Sequence, residues 1–289
     1  MVAWLHRRRG LTPYMLLAPG LGFLAVFFVV PLGFLGYQSL QSGNIDFGYA
    51  FTWAWGNYKS AVTDYRAEFV RSIEYAGIAT VLALVLSYPV AYWIAFRGGR
   101  WKNLLLLMIV APFFVTYLIR TLAWETILSD NGLVVRTLQH LHLVSPGGHL
   151  LATSTAVVAG ITYNFLPFMA LPLYVSLEQI DVRLIEAAQD LYASHWKAFI
   201  RVTVPLSLPG VVAGTLLTFI PAAGDFINAQ LLGGPNNHMI GNVIQSKFLE
   251  LSDYPSAAAM SFILMGAILA FVAVYAFVVG TEQLTGTAL

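Results

Sequence analysis

Cysteine is absent from all 289 residues, which excludes structural disulfides and thiolate metal sites and leaves the compartment open. Charge is scarce: Asp, Glu, Lys and Arg make up 10% of the chain, with a formal net charge of +1. The few basic residues form no sustained positive face, so nucleic-acid binding has little electrostatic support. The dipeptide Gly-Lys does not occur, so a G-x-x-x-x-G-K-[ST] phosphate loop is excluded. No H-E-x-x-H or comparable set of acid, base and nucleophile is present. His140 and His142 stand two apart, which suits neither one helix face nor a usual zinc pair. There is no fixed-period repeat and no low-complexity segment, so one domain covers nearly the whole chain.

Apolar residues are abundant: 58% of the chain is hydrophobic and 14% aromatic, with a mean hydropathy of +0.72. That exceeds what one water-soluble core uses and makes the chain an integral membrane protein. A spanning helix takes about 20 mostly apolar residues, because backbone groups left unpaired in hydrocarbon are costly. Six stretches qualify, near 14–38, 73–96, 103–128, 151–177, 206–229 and 257–280. The fold class expected is all-α and polytopic. Pro205, Pro209 and Pro221 punctuate the fifth span, and Asp225 sits near its far end. The Arg-rich start is read as preceding an uncleaved first span, since the apolar run is long and no A-x-A-like site follows.

Basic residues favour short cytoplasmic segments beside spans. With the N-terminus inside, Arg7, Arg8, Arg9, Arg97, Arg100, Lys102, Arg183, Lys197 and Arg201 are all cytoplasmic, nine of the fifteen basic residues. The expected organisation is a cytoplasmic tail 1–13, a membrane domain 14–280 with a cytoplasmic loop 178–205, and a cytoplasmic tail 281–289.

That loop is the most polar continuous run. Leu184, Ala187, Ala188 and Leu191 fall at helical spacing, and Trp196, Phe199 and Ile200 begin a second such set after Ala193-Ser194-His195. This predicts two short amphipathic helices, the second ended by Pro205 and Pro209 as the chain re-enters the membrane. Periodicity alone favours surface helices resting at the headgroups over a partner-docking role.

The residues themselves say more. Glu186-Ala187-Ala188, followed at a fixed gap by Val202-Thr203-Val204-Pro205, resembles the EAA loop of the membrane subunits of ATP-binding-cassette importers. Val202 and Val204 stand where that family has Ile and Leu, and Tyr192 stands where it usually has Gly. Glycine there permits the positive φ of a tight turn; with Tyr, the turn is either built differently or absorbed by Ala193-Ser194. The resemblance implies a type I importer permease fold of six spanning helices in a bacterial inner membrane. It makes the loop a coupling helix seated on a separate cytoplasmic ATPase, with Glu186, Ala187, Ala188, Leu191, Tyr192, Val202 and Pro205 at the docking surface. It also implies a second permease of similar fold, two ATPase subunits, an external solute-binding protein and lipid as partners. No cofactor belongs to this chain, ATP and Mg being bound by the ATPase.

Further segments narrow the likeness. Ile119-Arg120-Thr121-Leu122-Ala123-Trp124 with Asp130-Asn131-Gly132-Leu133, and Gly224-Asp225-Phe226 with Leu231-Leu232-Gly233-Gly234-Pro235 and Ile240-Gly241-Asn242-Val243-Ile244, are similar to spermidine/putrescine permeases and their relatives. Importers of phosphonate, iron and other small solutes share much of this pattern. Ile240, Val243, Ile244, Phe248 and Leu251 fit an outer surface helix over 236–251, and the family implies docking of the external binding protein on that face.

Polar residues within spans mark a pathway or a pairing. Asp225, Glu125 and Asn164 are the polar candidates for the substrate pathway, with Asp225 first because a carboxylate attracts a cationic polyamine. Trp124, Tyr163 and Phe226 could offer aromatic faces to a cation, although aromatics are also ordinary bilayer anchors. Arg120 lies one turn before Trp124 and could stack on it, or Arg120 and Glu125 could satisfy each other. Gly210-x-x-x-Gly214 would let another helix approach closely. An ion-gradient carrier is the rival class, but the inverted repeats and broken-helix ion sites of such carriers are not visible.

Overall fold

The computed structural model describes residues 12–142, 145 and 148–279. Residues 1–11, with Arg7, Arg8 and Arg9, and the tail 281–289 lie outside them. The chain divides into two compact units, Met1–Asp64 with Ser246–Ile263, and Tyr65–Gln245 with Leu264–Leu289.

In the first unit the span α1 (Leu16–Ser39) has no buried residue in its apolar window. Phe23, Phe27, Phe28 and Val30 are all more than half exposed, a surface for which hydrocarbon and not water is the solvent. A wide π-type turn at Ala25–Val29 precedes Pro31, absorbing the hydrogen bond that proline cannot donate. Two short strands, β1 (Gln41–Asn44) and β2 (Gly48–Phe51), then pair antiparallel, a small departure from an all-helical chain. Gly43 (φ +126°) and Gly48 (φ +82°) supply the turn conformations that side chains rarely adopt. Tyr37 stacks on Phe51 with ring centroids 5.0 Å apart. Asn57, on α2 (Gly56–Asp64), donates to the carbonyls of Ser39 and Gln41, both at 2.9 Å.

The second unit holds α3 (Arg66–Arg97), α4 (Gly99–Phe114), α5 (Tyr117–Leu128), α6 (Leu133–His140), α7 (Ser154–Glu178), α8 (Val182–Asp190), α9 (His195–Ala223), α10 (Ile227–Leu232) and α11 (Ile240–Gln245). Helix α12 (Tyr254–Val279) begins in the first unit and ends in the second. Among the described residues five helices are each long and apolar enough to cross a bilayer, and the bent pair α4–α5 brings the number to six if it is counted as one span.

Helices α3, α7 and α9 pack against one another in pairs. Buried Ile161, Phe165, Met169, Leu173 and Leu177 recur every fourth residue along α7, a single ridge. It meets a small-residue stripe on α3, where Ser72, Ala76, Ala79, Ala83, Ser87 and Ala91 are buried. Since lipid tails are as apolar as leucine, close packing and not hydrophobic expulsion holds such helices together. The Gly210-x-x-x-Gly214 pair serves this contact within the chain: a Cβ on Gly210 would lie 2.6 Å from the Pro172 carbonyl oxygen, and one on Gly214 2.7 Å from Met169 Sδ.

Three expectations need correction. The third span is not one straight helix: α4 and α5 are bent by 93° at Val115–Thr116, just beyond Pro112, which opens the preceding 3-10 turn. The prolines of the fifth span do not separate a second loop helix from it. Helix α9 runs unbroken from His195 to Ala223, because a π-type turn at Phe199–Thr203 accommodates Pro205. It stops before Asp225, which lies in the gap between α9 and α10 and not within the span. Finally, the helix expected over 236–251 is regular only in α11 and opens into a π-type turn at Ser246–Glu250. Ile240 is fully buried rather than interfacial.

Candidate functional site

Two constellations stand out, an exposed turn and a buried polar network. The turn begins at Asp181, whose carboxylate accepts the Arg183 N–H at 3.0 Å and caps α8. Helix α8 ends in two backbone bonds, Ala193 N–H to the Ala188 carbonyl (3.1 Å) and Tyr192 N–H to the Gln189 carbonyl (2.9 Å). This is the Schellman pattern, which requires a left-handed residue at its centre. Tyr192 itself takes that conformation, φ 63°, so the turn is neither rebuilt nor shifted onto Ala193-Ser194. Ser194 Oγ then accepts the Lys197 N–H and starts α9.

The geometry leaves three large apolar groups uncovered at this turn: Leu191 is 82% exposed, Tyr192 98% and Trp196 68%. Glu186 and Ala187 are exposed, Ala188 is half-buried, and Val202 and Pro205 lie at the root, on α9. That root is anchored. Trp196 stacks on Phe199 at 5.5 Å, Phe199 meets the edges of Tyr88 and Tyr92 from α3, and Tyr88 OH is 2.8 Å from Ser207 Oγ. Because a left-handed non-glycine residue costs on the order of 1 kcal/mol, Tyr192→Gly is expected to keep the turn. Its melting temperature should match the parent's within a few degrees, and any loss of activity then reports the exposed ring.

The buried network centres on Asp225, 6% exposed. Its Oδ2 accepts from Tyr117 OH at 2.6 Å and Asn228 Nδ2 at 2.5 Å, and its Oδ1 from the Ile227 and Asn228 N–H groups at 2.9 and 3.2 Å. Asn164 Nδ2 bridges Asn228 Oδ1 (3.2 Å) and Thr121 Oγ1 (3.3 Å). So α5, α7 and the α9–α10 gap meet at one polar knot, into which Asp225 and Asn164 are drawn. Trp124 and Tyr163 are not part of it; they form an edge contact 5.4 Å apart, and Glu125 is half-buried nearby on α5.

Arg120 lies over the rings of Phe113 (5.2 Å) and Tyr117 (5.6 Å), not over Trp124. Helical side chains lean towards the N-terminus of their helix, which selects the preceding turn. Nor does Arg120 pair with Glu125; the ion pairs among the described residues are Lys102–Glu178, His149–Asp130 and Lys247–Asp253. Tyr117, Thr121 and Asn228 are network members the sequence reading missed. The i, i+3, i+4 spacing of Tyr117, Arg120 and Thr121 on one α5 face was the available signal. Two surface cavities, about 450 Å³ between α7 and α9 and about 730 Å³ beside Asp130 and His149, are lined by none of Asp225, Asn164, Glu125, Tyr163 and Trp124.

The described residues form a bundle of helices long and apolar enough to span a membrane, with one exposed helical turn. Residues 84–281 match the family described as binding-protein-dependent transport system inner membrane component, and the chain belongs to that family: it is a permease subunit of an ATP-binding-cassette importer. The spermidine/putrescine transport system permease protein PotB of Escherichia coli (strain K12) is 41% identical over 203 residues, 69% of this chain and 74% of that protein. The protein of the same name from Haemophilus influenzae is 39% identical over 214 residues, 74% and 75% of the two chains. In fold, the chain is similar to a solved bacterial alginate ABC transporter in complex with alginate pentasaccharide-bound periplasmic protein (TM-score 0.72, 18% identity, 99% of each chain).

Proposed function

We propose that this permease carries a polyamine inward, with α8 and the following turn docked in a groove of a separate ATPase and the N-terminus in the cytoplasm. The observation that carries the docking is the exposed apolar tip, Leu191 and Tyr192 in the turn before α9 and Trp196 at that helix's first turn. Groups of this kind act as interface anchors when they fill a partner's pocket. The cargo reading is supported by the relatives named for spermidine and putrescine and by a carboxylate, Asp225, at the polar knot.

Mechanically, the turn leads straight into α9, whose 29 residues reach about 43 Å. One end of that lever is the ATPase-facing turn and the other abuts Asp225. Closure of two ATPase subunits on ATP and Mg, which this chain does not bind, moves α8 and α9 together. Asp225 and Asn164 then face first an external binding protein and later the cytoplasm. Glu125, Tyr163 and Trp124 flank the path, which is completed by a second permease of similar fold.

Labelled spermidine uptake by cells expressing the chain with its partner subunits tests the cargo. Saturable accumulation competed by putrescine, and not by a phosphonate or an iron chelate, is expected. Competition by either of the latter, with none by putrescine, contradicts the reading.

A further inference from the structure

Arg120 (8% exposed) and Asp225 are the two buried charged side chains among the described residues, and both touch Tyr117. Asp225 accepts the Tyr117 hydroxyl, while the Arg120 guanidinium lies over the Tyr117 ring. The carboxylate is fully served by four donors. The guanidinium is not: Nε and Nη1 are buried with no hydrogen-bond partner. A buried cation held only by aromatic faces is costly and pairs with an anion when one comes within reach. Tyr117, which holds Asp225, and Arg120, which lies over the Tyr117 ring, both sit immediately beyond the 93° break at Val115–Thr116. Three residues apart on one face of α5, they would trade places before a neighbouring group if that helix rotated about the break.

We propose that Arg120 is a tethered cation that competes with the transported ammonium group for Asp225. In the arrangement seen here Tyr117 and Asn228 hold the carboxylate and Arg120 stands aside, stacked on Phe113 and Tyr117. In the opposite state of the cycle Arg120 takes the carboxylate, the cluster becomes a neutral ion pair, and the substrate's ammonium is expelled. The inference rests on the polyamine reading only for the identity of the displaced cation.

Since the chain contains no cysteine, Arg120→Cys with Asp225→Cys can be bridged by a bifunctional thiol reagent in the assembled transporter without substrate. Bridging in one nucleotide state, nucleotide-free or locked with ATP and vanadate, and at least about fivefold less in the other is expected. Equal yields in both states, or none in either, overturn the exchange whatever the cargo. Charge-retaining variants supply a second readout. Arg120→Lys should keep spermidine uptake within about threefold, whereas Arg120→Gln should lower it about tenfold and leave labelled spermidine bound to the washed transporter. A purely structural Arg120 gives no such retention, and equal failure of the Lys and Gln variants also contradicts the proposal.

Discussion

Ala188→Trp is expected to lower ATP-dependent uptake about a hundredfold, the loss of roughly 3 kcal/mol from an interface, while the chain still inserts in the membrane. Ala188 is half-buried at the third position from the end of α8, and its carbonyl accepts the bond that closes the turn. Ala188 shares the half-buried face of α8 with Ile185, which packs against the core, so an indole there must lift α8 from its seat and displace the exposed turn that follows it. Leu191→Asp complements it. Leu191 is 82% exposed, so the charge costs the isolated chain little and acts only on a docked partner. Uptake and trypsin sensitivity of the inserted protein, measured together, check both variants. Parent-level uptake by either one counts against docking at this turn.

Gly210→Val acts on folding instead, and its effect on the amount of assembled protein should be severe. The new Cβ would lie 2.5 Å from Ser176 Cβ and 2.6 Å from the Pro172 carbonyl oxygen. Side chains can rotate away, but the carbonyl belongs to the α7 backbone, so α9 must move off α7 as a body. Overpacking of this kind costs about 1–3 kcal/mol even where neighbours can yield, and here the contact is between the two central helices. Gly77→Ala is the control, since a Cβ at that α3 position meets nothing within 4 Å. A fall of at least several-fold in detergent-extracted monodisperse protein is expected for Gly210→Val, with none for Gly77→Ala. Equal yields would show that the α7–α9 approach is not what holds the bundle.

The difference between these two glycines marks what could be read before the structure. Hydropathy locates spans because bilayer thickness fixes their length, and α3, α7 and α12 begin and end within several residues of their expected positions. The EAA spacing locates the turn because Schellman closure ties a left-handed position to the helix end, whichever residue fills it. What escaped depends on atoms distant in sequence. Tyr117 finds Asp225 across 108 positions and Asn164 finds Asn228 across 64, distances over which no local period carries information. The break at Val115–Thr116 and the unbroken α9 fail the simple reading of proline in opposite senses. Near Pro112 the freed backbone groups end a helix, whereas near Pro205 a π-type turn absorbs the same defect. Sequence shows a proline and not which remedy the surrounding packing selects.

The most direct test of an ATPase-driven permease is a covalent one. Leu191→Cys, in a chain with no other cysteine, should cross-link to the ATPase subunit in native membranes and resist an impermeant thiol reagent applied from outside the cell. Modification from outside, with no ATPase adduct, would contradict the account.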